Sequence, residues 1–310
     1  MADVRTHRTR VYMAGAPGGG TIAAPAHNFI AQCLGRSWNM SFLEAKSIEE
    51  VVDTFGSPDF AGGIVTMPWK KSIIRHLDHV DDIVSTLGAC NHVSVNEDGS
   101  LSGTNTDWIG IRDALLGANA STSTVTGRRG LIVGAGGAGR AAVYALTNLG
   151  CQDIYVVNRD AGEVHELSKD VQNYEPSIRP NIRHVQTVQQ AQGLLPPHYI
   201  VGTVPDFEPK TASEIEARSI FVEFLSKDRP DQSAMLDMCY HPLLTRNLLL
   251  AQKYGWPTVD GVQVVGHQLK PQWKPWTGQE LDEEQEKAAW EILRRSSLSD
   301  PTVTPQEARL

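Results

Sequence analysis

The sequence predicts an α/β fold in two domains, and three observations carry that reading. The chain has 310 residues, about twice the roughly 150 residues of an ordinary domain. Short apolar runs alternate with helical patterns along the first third, which implies a largely parallel sheet. Near the middle, the apolar run Leu131–Val133 meets a glycine turn, Gly134–Gly139, and then an amphipathic stretch. That order is strand, tight turn, helix.

Taken in order, Arg10–Ala14 reads as the first strand. After the loop Gly15–Thr21, Pro25 stands where a helix begins, and Ala26–Leu34 continues it. Ser41–Glu44 reads as a strand, Ile48–Phe55 as a helix, Gly63–Met67 as a buried strand ended by Pro68, and Lys71–Leu77 as a helix. Ala118–Gly127 is small and polar and reads as a connection between domains. Beyond it, Arg140–Leu149 is a helix, and Ile154–Val157, Tyr199–Val204 and Ser219–Glu223 are strand candidates. Val264–Leu269 and Glu280–Arg295 return to helix. Residues 296–310 are polar, contain two prolines and read as a flexible tail.

Composition narrows the function classes. A hydrophobic share of 41%, a charged share of 21% and a mean hydropathy of −0.26 describe an ordinary chain with material for a core. Lys+Arg number 28 against 36 Asp+Glu, so the basic surplus of a nucleic-acid binder is missing. Cys33, Cys90, Cys151 and Cys239 are scattered without a CxxC spacing and read as buried free thiols of a reducing compartment. Neither a leader nor an apolar run of about 18 residues is visible. The expectation is therefore a cytoplasmic protein with no membrane or nucleic-acid partner. His76, His79, Asp81 and Asp82 lack a metal-site spacing and read as a solvated face, so no metal is expected. Trp256, Trp273, Trp276 and Trp290 are expected to pack where the final helices meet the first domain.

Gly134, Gly136, Gly137, Ala138 and Gly139 fit GxGxxG, with a strand before and a helix after. Glycines there let backbone N–H groups approach a pyrophosphate, and the helix N-terminus adds favourable partial charge. The second domain is thus expected to be a Rossmann-type dinucleotide-binding domain. The second strand ends at Asn158-Arg159. Arg159 favours NADP, because it can pair with a 2′-phosphate, whereas Asp160 and Glu163 favour NAD by hydrogen bonding a free ribose or repelling a phosphate. NADP and NAD both stay open.

Six segments occur in order: VTMPWKK (Val65–Lys71), LGACNHV (Leu87–Val93), GTNTDWIGI (Gly103–Ile111), GAGGAGRAA (Gly134–Ala142), MCYHPLLT (Met238–Thr245) and DGVQVVGHQLKPQWKPWTG (Asp260–Gly278). Together they resemble the shikimate/quinate dehydrogenase family in its fungal form, over roughly residues 10–295. The resemblance implies an N-terminal α/β substrate domain (1–117), with residues 263–295 packing back on it. It also implies a Rossmann-type domain (118–262) and a cleft between the two. The implied activity is NAD(P)-dependent hydride transfer to or from a ring hydroxyl of shikimate or quinate, so the implied partner is a small cyclic polyol or keto acid. The catalytic lysine and aspartate fall on Lys70 and Asp107. Substrate-contacting residues fall on Thr66, Asn91, Tyr240 and Gln268, and cofactor-contacting ones on Thr203, Val204, Pro205 and Gly261. Lys70 is read as hydrogen-bonding the developing alkoxide and relaying its proton, with Asp107 orienting it; Asp107 also stands where it can cap a helix starting at Trp108.

The chain departs from the family at Trp69 and His92, which stand inside motifs where other residues are common, and at Asp160, where NADP-using members carry a hydroxyl residue. It departs again at the substrate carboxylate site. Two serines that bind the substrate carboxylate are replaced within Ile22-Ala23-Ala24-Pro25. Thr21, the Gly18–Gly20 backbone or the following helix start can still receive an anion, or the pocket takes a ring without a carboxylate. Two alternatives follow: a related dehydrogenase of another secondary-metabolite ring, and a non-catalytic homologue that senses a metabolite.

Overall fold

The computed structural model describes residues 8–119 and 127–298. They form two compact units, one from the residues up to Thr106 together with those from Val265 onward, the other from Asp107–Val264. Most of the expected connection Ala118–Gly127 and most of the expected tail 296–310 lie outside the described residues. Ser296–Leu298 close the last helix rather than begin a tail.

The first unit opens with β1 (Arg10–Gly15), α1 (Ala24–Cys33), β2 (Asn39–Glu44), α2 (Ile48–Phe55) and β3 (Phe60–Val65). β1 pairs in parallel with both β2 and β3, as strand–helix alternation requires. The sequence of α2 accounts for its form. Ser47 caps it by accepting from Glu50 N, Glu49 and Glu50 put negative charge in its first turn, and Ile48, Val51 and Phe55 fall on one buried face. β3 is buried at all six positions. Phe55 stacks on Phe60 at a centroid distance of 4.4 Å, and Gly63 makes room, since a Cβ there would lie 2.6 Å from the Phe55 ring.

The rest of this sheet is mixed. A 3-10 turn over Ser72–His76 stands where the helix Lys71–Leu77 was expected. β4 (His79–Val80), α3 (Asp82–Leu87), β5 (His92–Val95) and β6 (Leu101–Thr104) complete the order β2-β1-β3-β5-β6-β4. The edge strand β4 pairs in parallel with β6, and β5 runs antiparallel to both β3 and β6. The cause is local: Asp98-Gly99 closes a hairpin, with Gly99 at φ +90° and Asn96 N donating to Ser100 O at 2.9 Å. Asp81 caps α3 and accepts from Thr104 Oγ1.

The second unit runs α4 (Asp107–Asn119), β7 (Arg128–Val133), α5 (Gly137–Asn148), β8 (Cys151–Val157), α6 (Ala161–Val171), β9 (Asn181–His184), α7 (Val188–Gln192), β10 (Tyr199–Gly202), α8 (Ala212–Leu225), β11 (Ala234–Asp237), α9 (Arg246–Lys253) and β12 (Thr258–Val259). Its six strands are all parallel, in the order β12-β11-β10-β7-β8-β9. Ser219–Glu223 is not a strand but part of α8. A capping box of Thr211 and Glu214 starts that helix, and Ile220, Phe221, Phe224 and Leu225 form its buried face. Read over five residues, the apolar run Ile220–Val222 hides the longer helical period.

The chain ends with α10 (Gly261–Thr277) and α11 (Glu283–Leu298). α10 outruns the expected Val264–Leu269 and passes through Pro271 and Pro275. An interior proline costs about 3 kcal/mol, and the tryptophans of this helix offset it. Trp273 and Trp276 are both buried. Trp276 Nε1 donates to Val93 O at 2.9 Å and its ring stacks on His92; Trp273 Nε1 donates to His27 Nδ1 at 3.0 Å. Trp290 of α11 lies over Gly266, where any side chain would collide with the indole. Trp256 belongs instead to the core of the second unit, donating to Leu225 O at 3.1 Å. All four cysteines are free, but only Cys90 and Cys151 are buried as expected; Cys33 is exposed and Cys239 half-buried.

Two predictions follow from this packing. Gly266→Ala overpacks the α10–α11 contact and should destabilise by about 1–3 kcal/mol in urea unfolding; an unchanged midpoint would contradict the close approach. Burial holds His27 down to about 3, helped by His92, and His92 down to about 4. Both stay neutral in the folded chain while the unfolded chain protonates them near 6.5. Their contribution is complete above that pH and is lost as pH falls towards 4, about 2 kcal/mol per histidine by pH 5. A His27→Gln/His92→Gln variant should therefore lose less stability than the parent between pH 7 and 5, and parallel profiles would refute it.

Candidate active site

In the first unit the site begins where β1 and β3 end. Thr66 N donates to Ala14 O at 2.9 Å and Val65 N to Asn91 O at 2.8 Å. The chain then turns through a cis Met67–Pro68 bond, with Trp69 N returning to Thr66 O at 2.9 Å. Lys70 O accepts from Cys90 N at 2.8 Å. The backbone of Val65 and Lys70 is thus fastened to the segment that carries Asn91, and that of Thr66 to β1.

Behind these residues lies a buried polar network. Asn91 Oδ1 accepts from Thr106 N at 2.7 Å, and Asn91 Nδ2 donates to Gln268 Oε1 at 3.0 Å. Thr106 Oγ1 donates to Gln268 Oε1 at 2.8 Å. Gln272 Nε2 donates to both Thr106 Oγ1 and Gln268 Oε1 at 3.2 Å. All four side chains are buried. Asn91 and Gln268 were expected in the site; Thr106 and Gln272 were passed over. The signal for Gln272 is its i+4 spacing from Gln268, which puts both amides on one face of α10.

The stretch that replaces the two serines is apolar: Ile22 and Ala23 are buried. Thr21 Oγ1 accepts from Ala23 N at 3.0 Å. Glu44 Oε1 accepts from Gly18 N at 3.3 Å, so a carboxylate of this chain already lies on the glycine loop.

Asp107 opens α4 in the second unit and is 3% exposed. It follows directly on Thr106, whose N–H donates to Asn91 Oδ1. Tyr240 follows β11, its ring tilted against His241. Gly261 starts α10 where a Cβ would strike the Met238 carbonyl.

The glycine turn is built for close approach. Gly134 has φ +110°, and a Cβ on it would collide with Thr203 Oγ1. Thr203 is fixed there by two hydrogen bonds to Val133 O, from its N at 2.9 Å and its Oγ1 at 3.0 Å. Val204 packs on Gly134 from the same side, and a Cβ on Gly139 would lie 2.7 Å from Gly134 O. Gly136 is the N-cap of α5 and has no side chain to cover the first turn, which Gly137 and Ala138 begin; a Cβ on Gly136 would meet nothing within 4 Å. Such bare amides at a helix start, beside the point where the strand order reverses between β7 and β10, fit a dinucleotide pyrophosphate. Buried Arg140, also passed over in the sequence, donates from Nη1 to Ala135 O at 2.8 Å and pairs with Asp170. After β8, Asn158 Nδ2 donates to Glu163 Oε2 at 2.8 Å, Asp160 caps α6 through Gly162 N, and Arg159 pairs with Glu214.

Comparison with known proteins agrees with both halves of this description. Residues 14–93 match the profile described as shikimate dehydrogenase substrate binding domain, and residues 117–191 that of shikimate / quinate 5-dehydrogenase. A quinate dehydrogenase of Emericella nidulans is 35% identical over 289 residues, covering 87% of this chain and 88% of that one. The chain belongs to the shikimate/quinate dehydrogenase family. It also matches a pentafunctional AROM polypeptide of Eremothecium gossypii, 34% identical over 277 residues and 87% of this chain, but spans only 17% of that longer polypeptide. Among solved structures, shikimate 5-dehydrogenase of Thermus thermophilus in complex with NADP(H) and shikimate aligns over 93% of this chain and 99% of its own, with a TM-score of 0.69 and 25% identity. Quinate dehydrogenase of Corynebacterium glutamicum in complex with NAD shares the fold over 93% and 99%, with a TM-score of 0.74 and 22% identity.

The protein should lose nucleotide binding when Gly134 is replaced by Ala, because the new methyl displaces Thr203. Nucleotide titration followed by protein fluorescence checks this, with circular dichroism confirming the fold; binding at the parental affinity would contradict the geometry.

Proposed function

We propose that the chain is an NAD(P)-dependent dehydrogenase of the shikimate/quinate type, which moves a hydride between a nicotinamide and a ring hydroxyl of a cyclohexane or cyclohexene substrate. The observation that supports this most is the coexistence in one chain of a dinucleotide turn and a polar residue set, Thr66, Lys70, Asn91 and Gln268, on a family substrate-binding domain. In this reading the first unit holds the cyclic polyol or keto acid and the second holds the dinucleotide. The four free cysteines support a reducing, cytoplasmic setting.

The cofactor, when bound, supplies the hydride acceptor or donor. The remaining work falls to residues of this chain. Lys70 hydrogen bonds the ring oxygen as it gains negative charge and relays its proton. Asp107 is its carboxylate counterpart. Thr66 and Asn91 orient the ring, Asn91 held rigid by Thr106 and Gln268, and Tyr240 and Thr21 contribute further substrate contacts. Gly134, Gly136, Gly137, Ala138 and Gly139 receive the pyrophosphate. Asn158 and Arg159 contact the adenosine side, while Thr203, Val204, Pro205 and Gly261 contact the nicotinamide side.

A second reading keeps the enzyme and changes the ring. The apolar Ile22–Ala24 stretch and the Glu44 carboxylate on Gly18 N favour a substrate whose carboxylate is absent or bound elsewhere, since each charged hydrogen bond lost costs about 1.5–3 kcal/mol. A panel of quinate, shikimate and carboxylate-free cyclohexane polyols, assayed with NAD+ and NADP+ by absorbance of the reduced nucleotide, distinguishes the readings. Turnover of quinate or shikimate supports the first, turnover restricted to carboxylate-free rings supports the second, and binding without turnover of any ring points to a sensor and overturns both. With the ring that is turned over, Lys70→Ala should lower kcat by about 100-fold or more with the fold unchanged. Near-parental turnover would remove Lys70 from the mechanism.

A further inference from the structure

Resting on the dinucleotide reading above, the inference concerns which nucleotide is accepted. We infer that Glu214, at the start of α8, is a cofactor-specificity residue that occupies Arg159 and turns the ribose end of the site towards NAD.

A cavity of about 220 Å3 opens at the end of β8, lined among others by Asn158, Arg159, His184, Gln186, Ser213 and Glu216. This is the end of the second strand after the glycine turn, where the ribose hydroxyls of a dinucleotide fall. Arg159, the arginine of that strand end, points its Nη1 at Glu214 Oε1. Glu214 is not a casual partner. As the N3 residue of α8, its other oxygen accepts from Lys210 N and Thr211 N, each at 3.0 Å. Those backbone bonds lead the causes that hold its carboxyl down to about 2, so it is charged at any working pH. The backbone therefore presents a fixed negative charge to an exposed arginine.

The neighbouring carboxylates act in the same direction. Asp160 lies on Gly162 N and Glu163 on Asn158 Nδ2. A 2′-phosphate would have to draw Arg159 from Glu214 and bring about two negative charges into a cavity that Glu216 lines, at a strand end that already carries Asp160 and Glu163. A ribose 2′-OH needs neither. The Arg159–Glu214 pair is exposed on the arginine side, and exposed pairs are weak, so the preference is one of degree.

Titration calorimetry of NAD+ and NADP+ into the full chain tests this without relying on turnover. The parent should bind NAD+ more tightly. Glu214→Gln keeps an N3 side chain able to complete the capping box while removing the charge, and should shift the NADP+ to NAD+ affinity ratio about tenfold towards NADP+. Adding Arg159→Gln should abolish that gain. A loss of helix capping alone would weaken both nucleotides together and leave the ratio unmoved. A parent that prefers NADP+, or a Glu214→Gln ratio equal to the parental one while both nucleotides bind, overturns the inference and leaves the dehydrogenase reading standing. A parent that binds neither nucleotide overturns that reading as well.

Discussion

Asn91, Thr106, Gln268 and Gln272 are buried together in the first unit, and their polar atoms have to satisfy one another. An amide left unpaired in such an interior costs about 1–3 kcal/mol, so the four side chains hold a single arrangement or the packing fails. This obligation reaches outward through the backbone. Asn91 fixes the Thr106 N–H, Val65 N rests on the Asn91 carbonyl and Cys90 N on that of Lys70. Helix α10 cannot leave without breaking the network, and it carries Trp273 and Trp276 into contact with His27 and His92. Much of the first unit thus depends on one cluster of neutral polar groups.

The second unit solves a different problem. A chain of net charge −8 has to accept an anionic cofactor. Backbone amides do this better than lysines would, because they need no counter-charge and are fixed before the ligand arrives. The requirement then becomes close approach. Gly134 and Gly139 bring β7, β10 and α5 nearer than any Cβ permits, and Arg140 ties the turn's carbonyls to α5. Net charge carries no information about this arrangement, because the attraction comes from dipoles at one helix end.

The sequence made the second unit legible at its turn and the first unit legible at its motifs. The glycine spacing has a local physical cause, and the strand, turn and helix around it stand where the pattern placed them. The run Ser219–Glu223 misled because its three consecutive apolar residues, Ile220–Val222, satisfy a strand as readily as the buried face of α8. The antiparallel β5–β6 hairpin was signalled by Asp98-Gly99 and overlooked. The length of α10 was hidden by Pro271 and Pro275, which local propensity treats as breaks and tertiary packing of two tryptophans overrides. Thr106 could not be singled out as a network member from spacing alone, since its partners Gln268 and Gln272 are distant in the chain, whereas Gln272 stands four residues from Gln268. The Arg159–Glu214 pair is separated by 55 residues and has no motif at all.

In the proposed reaction a ring carbon of the substrate gives its hydrogen directly to the nicotinamide. Incubating the protein with a ring substrate deuterated at the carbinol carbon, and weighing the reduced nucleotide by mass spectrometry, tests this transfer. Reduced nucleotide heavier by one deuterium, with a matching ketone product, is expected. Reduced nucleotide without the label, or no reduced nucleotide with any ring alcohol, would contradict it.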